Sequence, residues 1–273
     1  MIRAAVLGSP IAHSLSPALH RRAYELLDVP GTYTAIEVTP DQASKFFSDA
    51  LKSDERIEDW TGFSLTMPLK ESIFDLASVS DFVIDPVARA MMSANTLVKS
   101  GSTFQASSTD RSAFIRLFKD VAKKRVAIIG GGGTARAALS ALDGVAETID
   151  FLLRTPSRAT LLSTVATKSK LNFFDMDHSL RGYDLVIATV PASASDFISK
   201  RLDFVIPTLC EVLYNPYPTP LLAKARVLGS VTIDGIDLLV EQALEQIALF
   251  SKREFDFNWM REELKSVAHI NLR

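Results

Sequence analysis

Four consecutive glycines, Gly130 to Gly133, constrain this chain more than any other feature. They follow directly on the apolar run of Arg125–Ile129. They precede Thr134, Ala135, Ala137, Ala138, Leu139 and Leu142, whose spacing is helical. A strand that ends in G-x-G-x-x-A and passes at once into a helix opens a βαβ nucleotide-binding unit. The glycines allow a tight turn, let a pyrophosphate approach the backbone and seat the helix close to the sheet. The helix N-terminus then offers N–H groups and a partial positive charge to the phosphates. The segment predicts a Rossmann dinucleotide-binding domain with Gly130, Gly131, Gly132, Gly133 and Thr134 at the pyrophosphate.

The next strand, Thr148 to Leu153, selects the dinucleotide. An acidic residue at its end would hold a ribose diol. Asp150 comes too early in the strand for that. The residues leaving it are Arg154, Thr155, Pro156, Ser157 and Arg158. Guanidinium groups pair with phosphate in a forked geometry. Arg154, Thr155 and Arg158 therefore predict a 2′-phosphate and NADP(H) as cofactor.

The remaining sequence alternates short apolar runs with longer helical patterns, the signature of an α/β protein with mainly parallel sheet. Strands are expected at Ala4–Leu7, Thr32–Val38, Gly62–Thr66, Asp184–Thr189 and Val231–Asp234, with another starting at Val205 and Ile206 and continuing through Leu209 to Leu213. Helices are expected from Pro17, over Pro40–Leu51 and over Ile236–Phe250. The 273 residues suit two small domains. Thirty basic residues face thirty-two acidic ones, a net charge of −2, which argues against a nucleic-acid partner. The basic cluster Lys123–Arg125 reads as a solvated loop. Cys210 is the single cysteine, so no intrachain disulfide can form, consistent with a reducing compartment. No apolar run reaches the ~18 residues of a membrane span, and a cytoplasmic location is expected. His13, His20, His178 and His269 lack metal-ligand spacing, and no metal is expected.

A second set of polar residues lies in loops at strand ends: Ser14 and Ser16, Thr66 and Lys70, Asn95 and Thr96, Thr109 and Asp110. Each has a plain reading alone. Ser16 or Asp110 caps a helix, Asn95 stabilises a turn, Lys70 is solvated. In order, however, Gly8-Ser9-Pro10-Ile11-Ala12-His13-Ser14-Leu15-Ser16-Pro17, Leu65-Thr66-Met67-Pro68-Leu69-Lys70, Ser93–Thr96, Ser108–Asp110, the glycine loop, Tyr214–Leu221 and Gly235–Gln242 form a set. That set resembles the shikimate dehydrogenases over residues 4 to about 250.

The resemblance implies NADPH-dependent reduction of 3-dehydroshikimate to shikimate, in aromatic amino acid biosynthesis. It implies a discontinuous substrate domain, 1–109 plus 236–273, around an NADP-binding domain, 110–235, with a cleft at their junction. Lys70 and Asp110 become the catalytic pair. Ser14 and Ser16 match positions that hold the substrate carboxylate, helped by Tyr214 and by the dipole of the helix at Pro17. Thr66, Asn95 and Gln242 match positions that read ring hydroxyls. Gln242 lies beside the apolar stripe of Ile236, Leu239, Val240 and Ala243, where a buried amide needs partners. Thr189, Val190, Pro191 and Leu213 match positions along the adenosine and nicotinamide ribose, and Gly235 and Leu238 positions near the nicotinamide. The partner implied is a small-molecule substrate, for a monomer or homodimer.

The sequence also departs from the family pattern. Ser64 and Ser108 replace the commoner Asn, Leu153 replaces the usual Asn before Arg154, Arg111-Ser112-Ala113 stand where a glycine is usual, and Ser251-Lys252-Arg253 replace an aromatic-Thr-Gly pattern. These changes leave open two alternatives, a quinate/shikimate dehydrogenase using NAD(H) and a catalytically impaired dinucleotide-binding paralogue.

Overall fold

A computed structural model describes residues 1–51, 60–76 and 82–272. The chain forms two compact units, Met1–Thr109 with Val240–Arg273, and Asp110–Leu239.

In the first unit the chain runs β1 (Ile2–Gly8), α1 (Ser16–Leu26), β2 (Gly31–Glu37), α2 (Pro40–Leu51), β3 (Gly62–Leu65), α3 (Leu69–Leu76), β4 (Phe82–Ile84), α4 (Pro86–Met91), β5 (Thr96–Ser100) and β6 (Thr103–Ser107). Among the described residues these strands form one sheet ordered β2-β1-β3-β5-β6-β4. The pairs β1–β2 and β1–β3 are parallel, whereas β5 runs antiparallel to β3 and β6. One face is packed by Phe47, Phe63 and Phe104, with Phe46, Trp60 and Phe82 around them. Parallel β1 and β3 deliver their following loops to the same sheet end, where ligands of α/β proteins bind. The register Leu7↔Leu65 sets Gly8 beside Thr66. A Cβ on Gly8 would lie 2.4 Å from Thr66 Cγ2, so glycine permits this close approach.

His20 of α1 is fully buried, stacked on Tyr33 at 3.9 Å, with Nδ1 3.4 Å from the Tyr24 hydroxyl. Its Nε2 makes no hydrogen bond among the described residues. Burial pushes the imidazole down to about 3, only partly opposed by the neighbouring Gln246 amide. An unfolded chain therefore takes up a proton near pH 6.5 that the folded chain refuses. The stability due to neutral His20 is complete above that pH and is lost as pH falls towards 3. The expected slope is about 1.4 kcal/mol per pH unit below the unfolded value. Urea unfolding at pH 7.5 and 5.0 should show this loss, and His20→Leu should flatten it. An unchanged slope in the variant would assign the acid sensitivity to other groups.

The second unit contains α5 (Thr109–Leu117), β7 (Arg125–Ile129), α6 (Gly133–Leu142), β8 (Thr148–Leu152), α7 (Arg158–Val165), β9 (Lys170–Phe174), β10 (Leu185–Ala188), α8 (Ala192–Arg201), β11 (Thr208–Glu211), α9 (Pro220–Leu228) and β12 (Val231–Ile233). Helix α5 begins one residue before the unit does. The sheet is wholly parallel in the order β12-β11-β10-β7-β8-β9. The order reverses at β7, so the loop after β7 lies at the topological switch point.

One local expectation needs correction. Strand β11 is shorter than the apolar pattern suggested: Val205 and Ile206 precede the ladder, because Pro207 has no N–H to donate to it. Ile206 still packs into the core and donates its N–H to Ser230 Oγ at 3.2 Å. Asp150 is the third residue of five in β8, where it accepts from Tyr183 (2.6 Å) and Asn172 (2.7 Å). It is a structural carboxylate.

Glu211, at the end of β11, accepts hydroxyl bonds from Ser195 of α8 and from Thr219, the N-cap of α9. Burial raises its carboxyl above the usual range, against the pull of those hydroxyls. The neighbouring Cys210 is fully buried between Ile187 and Ile233, and burial pushes its thiol far up.

Helix α10 (Gly235–Ser251) starts in a reciprocal cap. Asp234 Oδ1 accepts from Ile236 N and Asp237 N, while Asp237 Oδ2 accepts from Asp234 N. Tyr217 and Arg226 hold the other Asp234 oxygen. The last helix, α11 (Phe257–Asn271), packs against α1, with an Arg22–Glu263 ion pair at 3.3 Å.

Candidate active site

The first unit gathers most of the expected substrate residues around three backbone contacts. Ser9 N donates to Met67 O (3.1 Å), Thr66 N to Leu7 O (2.9 Å) and Ala94 N to Lys70 O (3.0 Å). They bring the loop after β1, the β3–α3 turn and the segment before β5 to one end of the sheet. Lys70 is the second residue of α3 and is half-buried.

The Ser16 side chain does not cap α1. Leu15 is the N-cap residue and supplies no side-chain acceptor, Pro17 lies in the first turn, and the Ser16 N–H donates to Ser14 Oγ at 3.4 Å. The local reason is that the helix begins one residue earlier than the Ser-Pro pattern suggested. Ser16 itself is buried.

Asn95 is no simple turn residue. It is buried, and its Oδ1 accepts from Thr109 N at 2.7 Å, Thr109 Oγ1 at 3.2 Å and Thr96 Oγ1 at 3.1 Å. Its Nδ2 donates to Thr109 Oγ1 at 3.0 Å and to Gln242 Oε1 at 3.4 Å. Asn95 thus anchors the start of α5, and buried Asp110 follows in its first turn rather than capping it. Gln242 is a buried residue of α10, not a surface glutamine.

The second unit carries the expected cofactor residues. Gly130 has φ +109°, and a Cβ there would come within 2.5 Å of Thr189 Oγ1. The Thr189 hydroxyl donates to Ile129 O at 2.9 Å, so the loops after β7 and β10 close on each other. Gly132 is the N-cap of α6 and provides no side chain to its N–H groups. A backbone cradle that only glycine fits, opening onto a helix N-terminus, suits a pyrophosphate. Arg154, Thr155 and Arg158 are all exposed, and Arg158 donates to Gly131 O at 2.9 Å. Val190 is buried, Pro191 is the N-cap of α8, and Leu238 is buried on α10. A Cβ on Gly235 would meet Leu213 O at 2.5 Å, so glycine is required there too. Tyr214 is half-buried in the loop after β11.

Sequence reasoning missed Arg136 and Gln246. The Arg136 side chain is buried in α6 and reaches Gly131 O at 3.4 Å. Its signal was a cation inside an otherwise small, apolar helix face. Gln246 is fully buried one helical turn beyond Gln242. The i,i+4 spacing places both on one face.

A glycine cradle at a switch point in one unit, and lysine, amide and hydroxyl groups gathered at strand ends in another, define a dinucleotide-dependent oxidoreductase acting on a small polar substrate. Comparison with known proteins narrows that class. Residues 6–97 match the family description "Shikimate dehydrogenase substrate binding domain". A shikimate dehydrogenase (NADP(+)) of Methanosarcina mazei is 31% identical over 276 residues, covering 94% of this chain and 95% of its own. The one from an Exiguobacterium species is 30% identical over 246 residues, covering 87% and 88%. The crystal structure of Mycobacterium tuberculosis shikimate dehydrogenase superposes with a TM-score of 0.85 at 29% identity, covering 97% of this chain and 100% of that one. The chain belongs to the shikimate dehydrogenase family. Among the described residues, no helix is long and apolar enough to cross a membrane.

Proposed function

We propose that this chain catalyses the NADPH-dependent reduction of 3-dehydroshikimate to shikimate, and the reverse oxidation. The observation that carries the reading is the Asn95 cluster. Lys70, Thr66, Asn95 and Gln242 come from segments far apart in sequence, yet backbone and amide bonds tie them into one polar group in the first unit. The curated relatives named as NADP(+) enzymes support it.

NADP(H), held by Gly130–Thr134 and by Arg154, Thr155 and Arg158, supplies the hydride. The chain's own residues deal with the rest. Ser14 and Ser16 hold the substrate carboxylate, with Tyr214 assisting. Thr66, Asn95 and Gln242 orient the ring through its hydroxyls. Lys70 hydrogen-bonds the ketone oxygen and provides the proton that turns the developing alkoxide into an alcohol. Asp110 is the second member of the catalytic pair. Thr189, Val190, Pro191 and Leu213 line the ribose and adenosine, and Gly235 and Leu238 leave room for the nicotinamide. The enzyme works in the cytoplasm, as a monomer or homodimer.

The test is a four-way assay of purified protein with shikimate or quinate, each with NADP⁺ or NAD⁺, followed by absorbance of the reduced cofactor. Turnover confined largely to shikimate with NADP⁺ is expected. Comparable turnover of quinate with NAD⁺ would replace this reading with the broader dehydrogenase. No turnover in any pair, from folded protein, would overturn it.

A further inference from the structure

We propose that Gln246 is a positioning residue for substrate recognition: with Tyr33 and Ser64 it forms a buried hydrogen-bond chain that holds the Asn95 backbone and Thr96, and so steadies the Asn95 amide on which Gln242 rests. The inference rests on the proposed function for the identity of the ligand, and on geometry for everything else.

The chain runs from β2 to the Asn95 cluster entirely within the first unit. Tyr33 OH meets Ser64 Oγ at 2.6 Å, and Ser64 Oγ meets Gln246 Oε1 at 2.7 Å. Gln246 Nε2 meets Asn95 O at 3.2 Å and Thr96 Oγ1 at 3.0 Å. Thr96 Oγ1 then meets Asn95 Oδ1 at 3.1 Å. Tyr33, Ser64, Asn95, Thr96, Gln242 and Gln246 are all buried.

Two backbone groups, Asn95 O and Thr109 N, set the direction of the amide bonds along this chain. Asn95 O is a carbonyl and only accepts, so the Gln246 atom facing it must be the amino group. The Gln246 oxygen therefore faces Ser64, which must donate to it. Ser64 has one proton and has spent it, so it must accept from Tyr33. At the other end, Thr109 N only donates, so the Asn95 atom 2.7 Å from it must be the oxygen. The Asn95 amino group is left to face Gln242 Oε1. With its oxygen engaged by Asn95, Gln242 meets a ligand hydroxyl through Nε2, as a donor.

A glutamine side chain free in water samples both amide orientations and several rotamers. Thr109 N sets the Asn95 amide and Asn95 sets Gln242, and the chain through Gln246 holds Asn95 in place from its backbone carbonyl and through Thr96 before substrate arrives, which lowers the ordering cost of binding. Ser64 also gains a defined task. It is short enough to sit between a tyrosine hydroxyl and a glutamine and to pass on the direction of one to the other.

The test uses the full-length enzyme. Gln246→Met keeps the volume and removes both ends of the relay. The shikimate KM should rise about tenfold, the effect of one misplaced buried hydrogen bond, while the NADP⁺ KM stays within about twofold of wild type. Tyr33→Phe keeps the ring on His20 and removes only the first proton, so a smaller rise in the same direction is expected. In a cycle with Gln242→Ala, the effect of Gln246→Met should largely disappear, since the residue it positions is gone. If Gln246→Met does not fold, Tyr33→Phe and its cycle with Gln242→Ala decide the question. Folded variants with unchanged shikimate KM, parallel rises for both ligands, or full additivity with Gln242→Ala would each overturn the proposal. Absence of shikimate turnover in the wild type would instead defeat the functional reading, and shikimate affinity by calorimetry would then replace KM as the readout.

Discussion

Lys70→Ala is expected to lower kcat for shikimate oxidation by about a thousandfold, within the range typical of a removed general acid–base group. The fold should tolerate the change. The Lys70 backbone carbonyl accepts from Ala94 N whatever the side chain. Thermal unfolding and NADPH binding should therefore match wild type, and the shikimate KM should change far less than kcat. Lys70→Arg adds a second discrimination. A guanidinium hydrogen-bonds an oxygen but does not give up its proton near neutral pH. Recovery of most activity in Lys70→Arg would mean that the residue polarises the carbonyl, and continued loss would mean that it transfers the proton. Activity of Lys70→Ala within tenfold of wild type would remove Lys70 from the chemistry.

The second large effect concerns cofactor choice. Replacing Arg154 and Arg158 together by Ala should raise the NADP⁺ KM by about a hundredfold, the sum of two charge-assisted phosphate contacts. Arg154→Ala alone should account for about tenfold and leave NAD⁺ kinetics untouched, because its side chain is exposed and NAD⁺ carries no 2′-phosphate for it to meet. Arg158 also donates to Gly131 O, so its loss should disturb NAD⁺ use modestly as well. Equal rises for both nucleotides in Arg154→Ala would show that this arginine does not read the 2′-phosphate. The comparison also addresses Leu153. Buried against the loop, it offers the cofactor no hydrogen bond and leaves selectivity to the two arginines.

The sequence was most legible where structure is local. Strand β7, the glycine turn and α6 lie within eighteen residues, Arg125–Leu142, and Gly130, at φ +109°, declares a backbone requirement that few other residues meet. Helix α2 was equally plain from its periodicity. Short elements such as β4 and α4 were not, because three to six residues carry too little pattern to separate strand from helix. Strand β11 was drawn too long because apolarity alone does not distinguish a core residue in a ladder, such as Leu209, from one beside it, such as Ile206. In the candidate site, Ser14, Lys70 and Asn95 were visible through the resemblance. Ser64 was visible only as a departure from the family pattern, and its partners Tyr33 and Gln246 lie 31 and 182 residues away. No local pattern contains such a pairing; only the fold brings the three together.

The position of Cys210 has a practical consequence. The only thiol in the chain is buried on an inner strand of a parallel sheet, and burial keeps it protonated. Maleimides and disulfide reagents attack thiolates that they can reach. A cysteine introduced on the surface would therefore be the sole reactive handle, and a fluorophore or spin label could be placed by a single substitution without first deleting the native residue.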